Sequence, residues 1–555
     1  MKKCLVATIL LAASIQTQAQ QMVYKFWVEL SDKNNNGYTV DQPEAFLSSK
    51  AIERRNKQSI SITERDLPIT MDYWNQIEAK GVKMLHASKW FNAVTVQCSD
   101  TSVMKAVRSL PFVKGSLLLY AKLESDEAPV SADKMMDYLM SLSAPKHPET
   151  ESAYGFGFGQ ISMLKGDQLH GLGHRGAGIT IAVLDAGFFR MNQMEAFDKM
   201  RETGHLLGTW DVVQKDTLVY EDDMHGMNVL SCMASNIPGK MIGTAPDAYY
   251  WLIRTEDNFS EFPIEESNWI RGAEMADSIG ADVINSSLGY TQFDMTALNL
   301  KYKDLNGRSL VSQAATMCTR VGMIVCNAAG NEGDAEWHYV GVPADADSIL
   351  TVGGVDDKLD HSTFSSYGPT YDGRIKPTIC AQATATFVGS SKGKFYPSNG
   401  TSFASPVMCG MVASLWGANP GKTNFEVMNA IIQSSDRYSN PDNTYGYGIP
   451  DFMMANRLLG GDSTFDYSTD QWLSPVPTEF YNEVPIHFYS SRDQTISIVL
   501  RDHKGRRARH FDYQLKKGQF FLISLQDLPK SKKGLQLQIT IDGVSKEYSL
   551  KRINE

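Results

Sequence analysis

Residues 178–184 read Gly-Ile-Thr-Ile-Ala-Val-Leu, a run that is apolar at almost every position. A strand with one solvated face alternates apolar and polar residues, whereas a continuous apolar run is typical of a strand covered on both faces. Similar runs occur at 281–285, 322–327 and 349–352, with helical stretches between them. Because buried strands that alternate with helices build parallel sheets, the sequence predicts an α/β domain over 153–460 with a doubly wound, mostly parallel sheet.

Two smaller units flank this domain. Residues 20–122 alternate short strand and helix signals, which predicts a small α/β unit. Residues 123–152 are rich in Asp, Ser, Pro, Lys and Glu, a composition typical of an exposed linker. Over 461–555 the helical signals fade, and short strands follow one another between turn residues such as those at 502–505. We therefore expect a small all-β domain there.

The first residues predict export. Lys2 and Lys3 precede an apolar run at 5–15, and the small residues of Thr17-Gln18-Ala19 suit a signal peptidase. This run is too short to span a bilayer as a helix, and no later apolar run reaches about 18 residues. We expect 1–19 to be a signal peptide and the mature protein to be extracellular, on the cell surface or periplasmic, without a transmembrane segment.

Composition narrows the class of function. The 555 residues carry a formal net charge of −10, which opposes binding to nucleic acid or to an anionic membrane. Of the seven cysteines, the six that follow the signal segment are scattered through apolar contexts. They predict buried core thiols, since neither paired zinc-ligand spacing nor a cysteine-nucleophile motif is present.

Two segments of the central domain carry an acid and a base. Asp185 directly follows the first buried strand, although many strands end on an acid for turn or capping reasons alone. His225-Gly226 opens an apolar helix. The helix dipole disfavours a charged imidazole at that end, which would help His225 to act as a neutral base.

A third segment, Asn-Ala-Ala-Gly-Asn-Glu-Gly at 327–333, follows another buried strand. Its small residues let a substrate approach the backbone closely, and the side-chain amide of Asn331 could donate to a developing oxyanion. A tight strand-to-loop turn would have the same composition.

The fourth segment, Asn-Gly-Thr-Ser-Phe-Ala-Ser-Pro at 399–406, leads into an apolar helix. We expect Ser402 to be exposed at the helix N-terminus, where backbone N–H groups point at incoming negative charge. A plain N-cap serine is the alternative, but the full eight-residue string is far more specific than a cap.

Together these segments resemble the signature segments of the subtilisin-like serine proteases, in that family's chain order of Asp, His and Ser. The resemblance covers about 153–460 and implies a secreted serine endopeptidase. It implies Asp185, His225 and Ser402 as the catalytic triad, with Asn331 in the oxyanion hole. It also implies activity that rises as pH passes the pKa of His225, about 6–7.

The resemblance extends to substrate binding and regulation. It implies that a peptide adds as a strand beside Ser287, Leu288 and Gly289, with Gly330 also in contact. It makes 20–122 an inhibitory propeptide, and hence the protein a self-inhibited zymogen, with maturation cleavage in the linker. The C-terminal domain would serve in sorting or in binding. Protein substrates and the propeptide are then the partners.

Catalysis of this kind needs no cofactor, and the family allows a structural calcium ion for which no ligand loop can be assigned here. A group of acidic residues suggests either a preference for basic substrates or a calcium site. We expect these residues to form a solvated surface instead. The members of this group are Glu256, Asp257, Glu261, Glu265 and Glu266.

The sequence departs from the family pattern at four positions, none of them catalytic: Ala186, Asn228, Thr378 and Gln382. A catalytically dead relative acting as a binding module is one rival hypothesis, opposed by the presence of all four chemical groups. A lipase or esterase is another, but it would place Gly-x-Ser-x-Gly around the nucleophile and the histidine after the serine.

Overall fold

The computed structural model describes residues 21–123, 154–461, 471–473, 479–480, 484–490, 493–515, 520–525, 534–541 and 543–552. The expected signal peptide and all but the first residue of the expected linker lie outside the described residues, so these two expectations stay predictions.

The N-terminal unit is an antiparallel sheet with three helices. Its strands run in the order β2-β3-β1-β4, and β1 pairs with both β3 and β4. The elements are β1 (Met22–Leu30), α1 (Ser49–Lys57), α2 (Met71–Glu78), β2 (Lys83–Ser88), β3 (Ala93–Cys98), α3 (Val103–Arg108) and β4 (Val113–Leu123). Strand and helix signals in the sequence predict all four strands, α1 and α3, and they miss α2.

The central domain is built on a sheet of seven parallel strands in the order β13-β12-β11-β10-β5-β9-β6. The strands are β5 (Thr180–Asp185), β6 (Leu206–Asp211), β9 (Tyr249–Arg254), β10 (Val283–Ser286), β11 (Ile324–Ala328), β12 (Leu350–Val355) and β13 (Ile379–Gln382), with two short hairpins β7 (Asn236–Ile237)/β8 (Met241–Ile242) and β14 (Thr386–Gly389)/β15 (Phe395–Ser398). The predicted doubly wound sheet is therefore present.

Helices cover both faces of this sheet. Alternate residues of β5 enter two different cores, Ile181 and Val183 on one face and Ala182 and Leu184 on the other. The helices are α4 (Phe158–Ser162), α5 (Gly166–Gly171), α6 (Asp198–Glu202), α7 (His225–Ala234), α8 (Ile264–Ile279), α9 (Leu310–Arg320), α10 (Thr401–Ala418), α11 (Asn424–Gln433) and α12 (Phe452–Leu458). Residues 401–416 of α10 are all buried, as expected of a helix that is apolar all round.

The C-terminal residues form two small sheets, which confirms the expected all-β character. One has the order β16-β18-β21 and the other β17-β23-β22-β19-β20. In β19 and β22, buried residues alternate with more exposed ones, the pattern of strands that pack one face on a core. The strands are β16 (Gln471–Leu473), β17 (Glu479–Phe480), β18 (Val484–Ser490), β19 (Gln494–Asp502), β20 (Arg507–Leu515), β21 (Phe520–Leu525), β22 (Leu535–Ile541) and β23 (Val544–Arg552).

The N-terminal unit docks on α8 through a buried group of charges. The Asp277 carboxylate of α8 is fully buried and is met by Arg54 at 2.5 Å, Arg55 at 2.9 Å and Lys89 at 2.7 Å. Arg55 also pairs with Asp66 at 2.9 Å. Burial raises the pKa of Asp277, but the three cations outweigh it and hold that pKa below its usual value. The cations come from one unit and the central carboxylate from the other, so docking completes the group.

A second carboxylate of α8 accepts from the backbone of the N-terminal unit. Glu274 receives hydrogen bonds from the Ser88 hydroxyl at 2.5 Å, the Lys89 N–H at 2.9 Å and the Trp90 N–H at 3.0 Å. These bonds satisfy a turn that the interface buries, so the position of the N-terminal sheet on α8 is closely specified.

No helix within the described residues is long and apolar enough to cross a membrane. The six cysteines that follow the signal segment are all free and buried, as predicted.

Docking of the N-terminal unit depends strongly on Asp277, the central carboxylate of this buried group of charges. We expect Asp277→Asn to lower the free energy of unfolding by about 3–5 kcal/mol, because it leaves buried cations without their partner. Urea denaturation of the full chain measures this, in a Ser402→Ala background that prevents any self-cleavage. Asp357→Asn is the matched control, since Asp357 is exposed, and it should change stability by less than about 0.5 kcal/mol. Equal effects of the two substitutions would contradict the assignment.

Candidate active site

The expected acid and base are in contact. Asp185 is the last residue of β5, and His225 is the first residue of α7. The His225 Nδ1 atom lies 2.7 Å from Asp185 Oδ1, which also accepts from the Ala186 N–H at 2.8 Å. Close packing permits this contact, because a Cβ on Gly226 would lie 2.4 Å from the Gly187 carbonyl oxygen.

The two side chains differ in exposure. Asp185 is fully buried, whereas the His225 side chain keeps 31% of its surface exposed. The second carboxylate oxygen, Oδ2, is buried and has no hydrogen-bond partner among the residues described. Asp185 therefore holds the ring through one oxygen, and the opposite edge of the imidazole is open to a reacting group.

The Asp185 carboxylate controls the charge of His225. Burial lowers the pKa of the imidazole, but the charge of Asp185 and the hydrogen bond to it outweigh burial, and Asp223 and Glu256 add to them. The pKa of His225 is raised to about 9. The expected value of about 6–7 is too low because the dipole argument considers the helix end and leaves out the buried acid.

Ser402 is the second residue of α10, where the sequence predicts it, but it is 9% exposed and so less accessible than expected. Its hydroxyl donates to the Ser287 carbonyl oxygen at 3.3 Å, and the Ser287 hydroxyl donates to the Ser402 carbonyl at 2.8 Å. This reciprocal pair joins the start of α10 to the chain that follows β10.

The side chain of Asn331 is oriented by its neighbour. Its Oδ1 atom accepts the Thr401 N–H at 2.8 Å and the Thr401 hydroxyl at 3.0 Å. Because the oxygen is the acceptor, the Nδ2 hydrogens remain available to donate. Asn331 is exposed, so its amide N–H₂ faces a region that a ligand can enter. Thr401 lies inside the quoted string at 399–406, but nothing in the sequence marks it as the residue that orients Asn331.

The expected substrate-binding residues lie just past the ends of strands. Ser287, Leu288 and Gly289 follow β10, and Gly289 is exposed, with the nearest atom 3.9 Å from the place where a Cβ would stand. Gly330 follows β11 and has a φ of +112°, a backbone conformation that residues with a side chain rarely adopt. A Cβ on Gly330 would lie 2.6 Å from Glu332 Oε2 and 2.7 Å from Ser366 Oγ, so only glycine fits this position.

Of the five acidic residues beside the site, two are buried and so depart from the solvated surface that the sequence predicts, whereas Glu261 is exposed. Glu256 is 8% exposed and Glu265 is 2% exposed. The Glu256 carboxylate accepts hydrogen bonds from the hydroxyls of Thr255 at 2.7 Å and Tyr290 at 2.9 Å. Burial, reinforced by the neighbouring carboxylates, raises the pKa of Glu256 to about 8 and that of Glu265 to about 10. Nothing in the sequence context of these two residues signals the raised pKa values.

The last strand of the N-terminal unit ends close to the site. The Tyr120 ring on β4 lies 4.6 Å from the Phe262 ring, and Lys122 donates to the Phe259 carbonyl at 2.8 Å. The adjacent Asn258 donates at 3.3 Å to the carbonyl of Ala186, the residue after Asp185. The short segment 258–262 thus contacts both the end of β4 and Ala186, the residue that follows Asp185.

Within the part of the chain that the structure describes, no group of three or more His, Cys, Asp or Glu side chains could hold a metal ion. No calcium ligand is assigned among these residues.

Comparisons with known proteins agree on one family. Residues 176–448 match the model of the Subtilase family, and residues 25–133 match the model of the Peptidase S8 propeptide domain of Bacteroidota. Subtilisin NAT of Bacillus subtilis subsp. natto is 30% identical over 293 residues, which cover 52% of this chain and 68% of that protein. Subtilisin of Bacillus pumilus is 30% identical over 293 residues, covering 52% and 94%.

A further curated relative is the serine protease AprX of Bacillus subtilis (strain 168), 27% identical over 301 residues that cover 49% of this chain and 65% of that protein. Among solved structures, that of the prenylagaramide maturation protease PagA aligns with a TM-score of 0.42 and 22% identity, covering 54% of this chain and 99% of that one.

The contact between His225 and Asp185 gives a spectroscopic prediction. In the full-length Ser402→Ala protein, the His225 imidazole should titrate well above 6.5, at about 9. In Asp185→Asn the largest of the charges that raise the pKa is gone and burial remains, so the midpoint should fall well below 9. Histidine NMR signals recorded against pH measure both, with His225→Gln to assign the resonance. A midpoint that Asp185→Asn leaves unchanged would refute the electrostatic cause.

Proposed function

The chain belongs to the subtilase family, and from that premise we propose that Asp185, His225 and Ser402 are the catalytic triad of a secreted endopeptidase. The family makes the chain a serine-type endopeptidase with a propeptide domain. The observation that carries the residue assignment is the 2.7 Å contact between His225 Nδ1 and Asp185 Oδ1, because it leaves Nε2 as the nitrogen for proton transfer.

The first chemical step is attack by the Ser402 Oγ atom on a peptide carbonyl carbon. The hydroxyl must first turn from the Ser287 carbonyl towards His225 Nε2, a rotation about the Cα–Cβ bond. Nε2 takes the hydroxyl proton as the new C–O bond forms, and Asp185 stabilises the imidazolium that results. Since the base works only when neutral, the raised pKa of His225 places the neutral, reactive form of the base at alkaline pH.

The tetrahedral intermediate carries negative charge on the former carbonyl oxygen. We assign Asn331 Nδ2 and the Ser402 backbone N–H as its donors. The two bonds from Thr401 to Asn331 Oδ1 support this assignment, because they orient the amide before any substrate arrives. A preoriented donor needs no reorganisation at the moment of reaction, which is the main source of its catalytic effect.

Collapse of the intermediate breaks the C–N bond. His225 returns the proton to the leaving amine, and Ser402 stays acylated until water, activated by the same base, hydrolyses the ester. Substrate is held as an extended strand along Ser287, Leu288 and Gly289, with Gly330 opposite. Main-chain hydrogen bonds then supply affinity for many sequences.

The N-terminal unit acts as the inhibitor of this site. Its docking on α8 and the approach of β4 to Phe259 and Phe262 support the proposal, since Leu123 ends β4 close to the cleft. Cleavage in the 123–152 linker would release it, and the 1–19 signal would direct export. The C-terminal β domain would serve in sorting or binding. A structural calcium ion stays a family expectation without assigned ligands.

Loss of the nucleophile should abolish cleavage. Full-length protein and its Ser402→Ala variant are incubated with unfolded casein at pH 8, and mass spectrometry follows casein and the protein's own N-terminus. We expect cleavage only without the substitution, with a loss on the order of 10⁶-fold in kcat, a magnitude known for loss of the serine nucleophile in a subtilisin. Ser405→Ala, one helical turn along α10, is the control. Equal activity of Ser402→Ala would refute the assignment.

The oxyanion donor has a distinct kinetic signature. Asn331→Ala should lower kcat about 10²–10³-fold with little change in KM, again the magnitude known for a subtilisin. The donor acts on the transition state, so substrate binding is spared. Asn306→Ala, in a surface turn away from the site, should leave both constants unchanged. A rise in KM with kcat unaffected would make Asn331 a binding residue instead.

A further inference from the structure

A cavity of about 300 Å³ lies between the N-terminal unit and the central domain, on the side of β2. The N-terminal unit contributes Trp74 and His86 to its wall, and the central domain contributes Trp210, Lys215 and Arg271. Since both units supply walls, the cavity exists only while the N-terminal unit is docked.

The cavity is basic in a protein whose formal net charge is −10. Arg271 has no hydrogen-bond or ion-pair partner among the residues that the structure describes, and no acidic residue of that part of the chain lines the cavity. The Lys215 ammonium crosses the interface and donates to the Met84 carbonyl at 3.0 Å. A cation without a counterion between two packed units is an unusual arrangement, because the partial desolvation of the charge is not offset.

Neighbouring positive charges contribute to the lowered pKa values of Lys215 and His86. Burial lowers the pKa of Lys215, and Lys83 and Lys25 lower it further. Burial also lowers the pKa of His86 to about 3, with Arg271 and Lys215 adding to the effect. His86 is therefore neutral, and its Nε2 lies 2.8 Å from the Ser267 hydroxyl of α8. No acidic side chain of the described residues lines the cavity to offset these positive charges.

We propose that this cavity binds a small oxyanion, a phosphate or a carboxylate, between Arg271 and Lys215. Arginine and lysine are the side chains that proteins use for these groups, and the two tryptophan rings leave space for an apolar substituent. An anion held by both units binds only the docked form, so by mass action it holds the N-terminal unit in place. The site would make retention of that unit depend on the anions in the surroundings.

The test uses the full-length Ser402→Ala protein, so it does not depend on catalysis. Thermal unfolding is followed while inorganic phosphate or citrate replaces chloride at constant ionic strength. We expect a saturable rise in Tm with at least one of the two anions. A rise with phosphate alone identifies a phosphate site, and a rise with citrate alone a carboxylate site. No saturable rise with either overturns the proposal.

Arg271→Gln supplies the decisive variant in the same background. The anion should bind about 10- to 100-fold more weakly, the expected effect of losing a charge-assisted contact. Without added anion, Arg271→Gln should be at least as stable as the parent, because a cation without a counterion is gone. A merely structural role for Arg271 predicts lower stability at every anion concentration, and that result would overturn the proposal.

Two further measurements keep the test independent of one substitution. Lys215→Gln changes an exposed side chain and should weaken anion binding in the same direction, even if Arg271→Gln fails to fold. Arg308→Gln removes an exposed charge outside the cavity and should respond like the parent. Amide hydrogen exchange in β2 should slow when phosphate or citrate is bound. Binding that leaves β2 unprotected would place the anion elsewhere and refute the site.

Discussion

Five strands of the parallel sheet, β5 and β10 to β13, are buried along their whole length and can present side chains to solvent only beyond their ends. The chemistry of this protein follows from that constraint. The carboxyl ends of β5, β10 and β11 lie side by side because the strands are parallel neighbours. Asp185, Ser287 and the turn before Asn331 therefore meet along one edge, although more than 140 residues of sequence separate the first from the last. Helix α10 then needs only to begin at this edge for Ser402 to join them. Crevices at such carboxyl ends are where open α/β sheets bind their ligands.

The sequence predicts the parts of this arrangement that local patterns specify. It does not predict the parts that depend on contacts between segments distant in sequence. Continuous apolar runs are a local signal, so β5, β10, β11 and β12 can be predicted from composition alone. The strands β6, β9 and β13 are not predicted in this way; in β6, Gly208 and Thr209 interrupt the apolar run. Arg254 is fully buried and pairs with Asp211 at 2.7 Å, a contact between strands that no local pattern reveals.

The site residues also fall into two groups: those that a local motif marks and those whose role depends on contacts between distant segments. Asp185, His225, Asn331 and Ser402 stand in short motifs, and motifs can be read along the chain. The contribution of Thr401 to the orientation of Asn331, and the reciprocal bonds between Ser402 and Ser287, arise from the meeting of distant segments. The burial of Glu256 and Glu265 could not be predicted either, since a row of carboxylates is ordinarily solvated. The hydrogen bond from the Tyr290 hydroxyl to Glu256 joins residues that are 34 positions apart in the sequence, so no local pattern announces it.

The six buried cysteines matter for the timing of folding relative to thiol oxidation more than for the folded structure. Burial raises the pKa of Cys232, Cys318, Cys380 and Cys409, so the folded chain presents almost none of the thiolate that oxidation requires. Before the core closes, the same sulfur atoms are open to any oxidant outside the cytoplasm, and a wrong pairing would lock an unfolded form. If the chain is exported as proposed, its yield depends on whether collapse of the central sheet is faster than thiol oxidation.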